Sequence, residues 1–187
     1  MNLVSRRAFA EAMKLLLAND LKFTVIGGAV IALATGADDM GEDVDLFAES
    51  PNVINEEDAY RSIADSNSWD YGQTWLGTPR ITVIVGDEEV PVEFYDNLYD
   101  FYVPEDFISS ARKVEVEGVR VKAIGVEQYL VLKARAGRKE DEEALKNIGE
   151  SVKRGRLKVE ASKVLQLASE FDEGQVIVRR LREYKII

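Results

Sequence analysis

Cysteine and histidine are both absent from the 187 residues. Without cysteine there is no disulfide framework, no thiolate nucleophile and no cysteine-ligated zinc. Without histidine, Ser-His-Asp and Cys-His catalysis, histidine–zinc hydrolysis and a histidine general base are excluded. Any metal held here must sit among carboxylates and other oxygens, which points to magnesium, manganese or calcium. Long apolar runs are missing too: none approaches the roughly 18 residues of a membrane span. The opening "MNLVSRRAFAEAMKLLLANDLKF" is broken by Glu11, Lys14 and Asp20 and reads as an amphipathic helix, not a secretion signal. No membrane association and a cytoplasmic location are therefore expected. Basic residues are in deficit, with 24 Lys and Arg against 34 Asp and Glu, for a net charge of −10. That balance disfavours extended nucleic-acid binding, which relies on clustered cations, and leaves room only for a local basic groove.

What is present is a chain that is 46% apolar and 31% charged, the profile of a globular protein with a sizeable core. Abundant Glu, Lys and Arg with little Gln and no Cys also suit a thermophile, as a compositional tendency. Helical periodicity runs through "SRRAFAEAMKLLLAND" with Ser5 as cap, followed by a strand "KFTVI", a helix "AVIALATGA" closed by Gly36, and a strand "EDVDLFAE". Next come a helix "EEDAYRSIADSN" and three strands, "DYGQTWLG", "RITVIVG" and "EVPVEFYD", the last two joined by a Gly86-Asp87 hairpin. "PEDFISSARK" reads as a short helix and "KVEVEGVRVKAI" as a hairpin turning at Gly118. From Val126 the pattern is helical to the end. The expectation is an α+β fold: a mixed sheet flanked by helices over residues 1–125, with a C-terminal helical region, 126–187, packed on it.

The strand "EDVDLFAE" raises a chemical question. Residues i and i+2 of a strand face the same way, so Asp43 and Asp45 project together. Two such anions repel unless a cation separates them, and a divalent metal suits both. A solvated polar face is the plainer alternative. A third carboxylate would come from "VPVEFYD", where Glu93 opposes the apolar alternation of Val90, Val92 and Phe94; Asp96 is the reserve. Three carboxylates can hold magnesium or manganese against nucleotide phosphates and an attacking hydroxyl. Gly27 and Gly28, where a strand enters a helix, let backbone approach a phosphate closely.

Taken together, "IGGAVIALATGADDMGEDVDLF" resembles the signature of the polymerase-β-like nucleotidyltransferase superfamily, in which a Gly-Gly or Gly-Ser pair precedes a helix and an Asp-hydrophobic-Asp strand. "GEDVDLF" is similar to the small prokaryotic branch of minimal nucleotidyltransferases and abortive-infection-type toxins. There a Ser or Thr, then Glu, precedes the aspartates; here Gly41 takes the hydroxyl position. "VKAIGVEQYLVLKARAGRKEDEEAL" resembles the later helix-turn-helix of the same family. The resemblance implies a nucleotidyltransferase fold and transfer of a nucleoside monophosphate from an NTP to a hydroxyl acceptor in protein, RNA or a small molecule. It implies Asp43, Asp45 and Glu93 as catalytic metal ligands for Mg2+ or Mn2+, with Gly27, Gly28, Lys133, Arg138, Lys139 and Asp141 at the nucleotide. It also raises a toxin-antitoxin setting, with an antitoxin or other partner protein. Asp38 and Asp39 depart from the family's pattern, which often has a basic residue before the metal strand.

Two further features read more plainly. Trp69, Tyr71 and Trp75 alternate along "WDYGQTWLG" and suggest packing in the core or on a sheet face. Arg179, Arg180, Arg182 and Lys185 in "VIVRRLREYKII" suggest a helix with a solvated basic face.

Overall fold

The computed structural model describes residues 3–187; Met1 and Asn2, which open the 1–125 segment, lie outside the described residues. Residues through Ile124 form one compact unit and Gly125–Ile187 a second. The first runs α1 (Arg6–Ala18), β1 (Lys22–Val25), α2 (Ala29–Thr35), β2 (Val44–Ser50), α3 (Glu57–Asn67), β3 (Asp70–Gln73), β4 (Pro79–Val85), β5 (Glu88–Tyr95), α4 (Glu105–Ser109), β6 (Arg112–Val116) and β7 (Val119–Ala123). The second holds α5 (Val126–Ala136), α6 (Lys139–Lys153), α7 (Ala161–Ala168) and α8 (Gly174–Glu183).

All seven strands join one mixed sheet in the order β3-β4-β5-β2-β1-β7-β6. Hairpins account for the antiparallel pairs β3-β4, β4-β5 and β6-β7, while β2-β5 and β1-β7 are parallel and bring together residues far apart in sequence. The two faces of the sheet differ in kind. Val44, Leu46 and Ala48 of β2, Ile81 and Val83 of β4, and Val90, Val92 and Phe94 of β5 are buried. α1 lies against the sheet and buries Phe9, Met13 and Leu16, and Tyr60 of α3 meets Phe94 with ring centroids 4.9 Å apart. Each such large side chain contributes about 2 to 3 kcal/mol by leaving water. The opposite parity carries Asp45, Arg80, Thr82 and Glu93, all half-buried, and the exposed Ile84. Polar groups thus share one face because the apolar alternation commits the other to the core.

Local chemistry accounts for the boundaries. The Ser5 hydroxyl caps α1 by accepting from the Ala8 N–H at 3.1 Å, as the sequence predicts, and donates to Glu88 at 2.9 Å. β2 starts at Val44, so Asp43 stands on the bend just before the strand instead of within it. β3 ends at Gln73, four residues short of the predicted run, because the Thr74 hydroxyl accepts from the N–H groups of Leu76 and Thr78 at 3.2 and 3.3 Å and closes a turn there. The aromatic alternation consequently fails: Trp69 is buried and Tyr71 donates to Glu57 at 2.7 Å, but Trp75 rides the turn and is 67% exposed.

In the helical unit, the predicted solvated basic face of the last helix is corrected at Arg180. Its Nη1 donates to the carbonyls of Ala134 and Arg135 at 2.6 and 3.2 Å, satisfying the C-terminal end of α5. Gly137, which caps that helix, leaves the room for the guanidinium: a Cβ there would collide with it. Arg179, Arg182 and Lys185 remain exposed.

Candidate active site

Register brings the acids together in the sheet unit. Asp45 of β2 is the parallel partner of Glu93 of β5, and Glu93 is the antiparallel partner of Arg80 of β4. Partnered residues share a face, so three neighbouring strands present a row of one cation and two carboxylates. Gly27 abuts the near end of that row. A Cβ at Gly27 would run into the Asp45 carboxylate and its Cβ, so the glycine makes the room in which Asp45 sits. Gly28 has open space within 4 Å of where its Cβ would be. The two glycines are therefore different: Gly27 is required by the aspartate, whereas Gly28 borders open space.

Asp43 is exposed on the approach to β2. Tyr95, at the end of β5, reports on all three acids. Burial first, then its hydrogen bond to Glu93 and the charges of Asp45, Glu93 and Asp43, push its hydroxyl well above the ordinary tyrosine range. Its ring stacks on Phe101 at 4.8 Å, which aims the hydroxyl at Glu93. Arg80 Nε lies 3.5 Å from Glu93 Oε1. Asp96 stands just beyond β5, where it accepts from its neighbour Asn97 N–H at 2.7 Å and from Asn52 at 3.4 Å. Gly41 has φ +103°, a conformation that residues with a side chain rarely adopt, which explains a glycine where the resemblance expects Ser or Thr. Asp38 and Asp39 are exposed; Asp38 O accepts from Arg6 N–H, and Asp39 forms a bridge with Ser5.

The donor chemistry suits a hard divalent cation: carboxylate oxygens only, two from adjacent strands on one face and one from the bend beside them. Among the described residues no three acidic side chains are gathered as a finished metal cage. Glu93 is instead engaged by Tyr95 and Arg80.

The basic block of the helical unit has its own geometry. Asp141 is fully buried, with Lys133 Nζ at 2.8 Å and Arg138 Nε at 3.0 Å, and its carboxylate also accepts from the Arg138 N–H at 2.9 Å, capping α6. Burial alone would raise its pKa, but the hydrogen bonds and charges of Lys133 and Arg138 outweigh it and hold Asp141 below the usual aspartate range. Lys139, the first residue of α6, is exposed. The structure thus brings Gly27, Asp45 and Glu93 together in one unit and Lys133, Arg138 and Asp141 together in the other. Arg80 and Tyr95 are the neighbours that sequence reasoning missed. Arg80 was within reach, since a two-residue turn at Gly86-Asp87 pairs Val85 with Glu88 and, counting back, Arg80 with Glu93.

The family model of nucleotidyl transferases of unknown function (DUF2204) matches residues 5–183, nearly the whole chain. The chain belongs to that family. No curated protein sequence matches it. Among solved structures it is similar to an antigenic nucleotidyltransferase-like protein from Paracoccidioides brasiliensis, with 14% identity over 98% of this chain and 78% of that one and a TM-score of 0.52. The antibiotic-resistance factor ANT(2'')-Ia aligns over 95% of this chain and 93% of its own at 13% identity, with a TM-score of 0.49. The likeness to the first of these shows the nucleotidyltransferase-like fold, which carries the mixed sheet and flanking helices described above. Family membership makes nucleotidyl transfer the general chemistry of this chain. A groove of about 580 Å³ along α7 and α8 is lined by Leu165, Phe171, Val178 and Arg182 and by none of the acids or basic-block residues above. Among the described residues no helix is long and apolar enough to cross a membrane.

Proposed function

We propose that this protein is a metal-dependent nucleotidyltransferase that moves a nucleoside monophosphate from an NTP to a hydroxyl acceptor, with Asp43, Asp45 and Glu93 as its metal-binding acids. The observation that carries this reading is the pairing of Asp45 with Glu93 on the polar face of the sheet, with Gly27 shaped around Asp45. Bound by these acids, Mg2+ or Mn2+ would neutralise the phosphates and polarise the acceptor hydroxyl. Asp45 is fixed by its strand and by the room at Gly27. Asp43 stands on the bend just before that strand. Glu93 is preferred to Asp96 because it faces Asp45, and it takes the proton from the acceptor. The acceptor oxygen forms a bond to the α-phosphorus in line with the departing bridging oxygen, the α–β anhydride bond breaks, and pyrophosphate leaves. Positioning and charge neutralisation supply most of the rate.

Gly28 borders open space that a phosphate would use, and Lys133, Arg138 and Lys139 are the phosphate-directed cations on the family resemblance. Asp141, placed with them by the resemblance, is buried against Lys133 and Arg138, and in this reading it serves the nucleotide by positioning those two cations. The toxin-antitoxin setting and an antitoxin partner rest on the resemblance of "GEDVDLF" alone.

The test is incubation with each α-labelled NTP, Mg2+ and cell extract, followed by separation of protein, RNA and small molecules. Label should appear in one acceptor fraction and vanish with the Asp43→Asn, Asp45→Asn double variant. NTP binding without transfer by the wild type would identify a nucleotide-binding module and refute the enzymatic reading.

A further inference from the structure

We propose that Arg80 is a positioning residue for the third acid: together with Tyr95 it holds the Glu93 carboxylate in reserve, and cation binding at the aspartates draws Glu93 out of that grip. This inference rests on the metal reading of the site and adds to it the group that competes with the cation.

Three observations carry it. The first is register: Arg80, Glu93 and Asp45 are successive partners across β4, β5 and β2, so Glu93 lies between a cation on one side and an aspartate on the other. The second is the quality of the Arg80 contact. Arg80 Nε is 3.5 Å from Glu93 Oε1, within ion-pair reach, yet this buried Nε has no hydrogen-bond partner. A buried guanidinium nitrogen left without a hydrogen bond is uncommon and unfavourable. The contrast within the same chain is Asp141, met by Lys133 and Arg138 at hydrogen-bonding distances of 2.8 and 3.0 Å. One pair is built to stay closed; the other is held by charge alone at this nitrogen. The third is the state of the acids. Among the described residues no three carboxylates form a cage, although Asp45 and Glu93 face the same way on adjacent strands.

These facts have a common explanation if Glu93 has two stable positions. Without a cation, Arg80 balances the charge of Glu93 and limits repulsion between Glu93 and Asp45. The Tyr95 hydroxyl donates to the same carboxylate, and the Phe101 stack keeps that donor in place. A divalent cation offers Glu93 a stronger partner than an arginine whose side chain is 43% exposed to water. Arg80 then acts through Glu93 and touches no reacting atom.

The experiment measures Mn2+ affinity of the full chain by the paramagnetic resonance signal of free Mn2+, with no nucleotide present. Arg80→Gln should tighten Mn2+ binding about three- to tenfold, since it removes a competitor worth a partly exposed ion pair. Arg80→Lys, which keeps the charge, should remain within about twofold of wild type. In a Glu93→Gln background the effect of Arg80→Gln should shrink below about twofold, because the acid it competes for is gone. Tyr95→Phe, which removes only the second holder, should tighten binding less than Arg80→Gln and guards against a poorly folded arginine variant. Unchanged or weakened affinity in both folded Arg80→Gln and Tyr95→Phe overturns the proposal. Tightening that persists undiminished without Glu93 overturns it as well, because the effect would then be plain charge removal. The metal reading fails separately, if Asp45→Asn leaves Mn2+ affinity as it was.

Discussion

In the helical unit Asp141 is wholly buried and answered by Lys133, Arg138 and a backbone N–H, while in the sheet unit Asp43 is exposed, Asp45 is half-buried against Gly27, and Glu93 has the Tyr95 hydroxyl and one arginine, the latter at 3.5 Å. The same side-chain chemistry is put to opposite uses. A carboxylate with its full complement of donors is a structural joint, since moving any member leaves a buried charge without compensation. Carboxylates set on one polar face, with Glu93 held by the Tyr95 hydroxyl and by a partly exposed arginine, are the ones we propose for a cation. Position in the fold decides which outcome applies: Asp141 is the third residue of a helix and caps it, whereas the acids of the sheet unit fall on the polar parity of strands or on the bend before one.

The comparison is broken most severely by removing the acids on the strand side. Asp45→Asn is expected to lower nucleotidyl transfer about a thousandfold while leaving thermal unfolding nearly unchanged, as read from labelled-product formation beside a melting curve. The glycine pair sharpens it next. Gly27→Ala should displace Asp45 and reduce turnover about 10- to 100-fold, because a shift of an ångström at a reacting centre has effects of that size. Gly28→Ala, in open space, should alter stability by less than about 0.5 kcal/mol and act on the KM for NTP instead of on turnover. Steady-state kinetics on the two variants separates them; equal turnover losses would mean that the room at Gly27 is not what matters.

On the helical side the expected effect is on stability. Asp141→Ala leaves Lys133 and Arg138 without their buried partner and removes the α6 cap, a loss of about 3 kcal/mol in denaturant unfolding. The pH dependence follows from the lowered pKa of Asp141. A carboxyl whose pKa is lower when folded than unfolded contributes its full stabilisation above the ordinary aspartate range and loses it as pH falls through the folded value. The stability gap between wild type and Asp141→Asn should therefore be flat above about pH 5 and narrow below about pH 4. A gap that widens on acidification would contradict the assignment. The smallest effect belongs to Trp75→Ala, on an exposed turn, at under about 0.5 kcal/mol.

Much of this arrangement was legible in the residue order, and what was not has physical reasons. Ser5 as cap, the Gly36 stop, the Gly86-Asp87 hairpin and the parity of Glu93 are local, determined by residues within a few positions of each other. The pairing of Asp45 with Glu93 is not local: a parallel contact between strands nearly fifty positions apart follows from topology, and the alternation in "VPVEFYD" offered Glu93 as a third acid without its register. Trp75 was misread because the Thr74 hydroxyl closes a turn that aromatic alternation hides. Arg180 looked like one of several solvated cations until its partners, the carbonyls at the end of α5, were brought to it by folding. Gly27 was read as a phosphate approach; its nearest constraint is the Asp45 side chain.

Asp43, Asp45 and Glu93 are proposed to hold the catalytic cation jointly. The most direct test is a crystal soaked with Mn2+ and a nonhydrolysable NTP, located by the anomalous signal of the metal. The expected result is manganese beside the nucleotide phosphates, with Asp43 and Asp45 among its oxygen ligands and Glu93 drawn from Arg80 to join them. Manganese bound with nucleotide elsewhere, or at the aspartates with Glu93 still on Arg80, would contradict it.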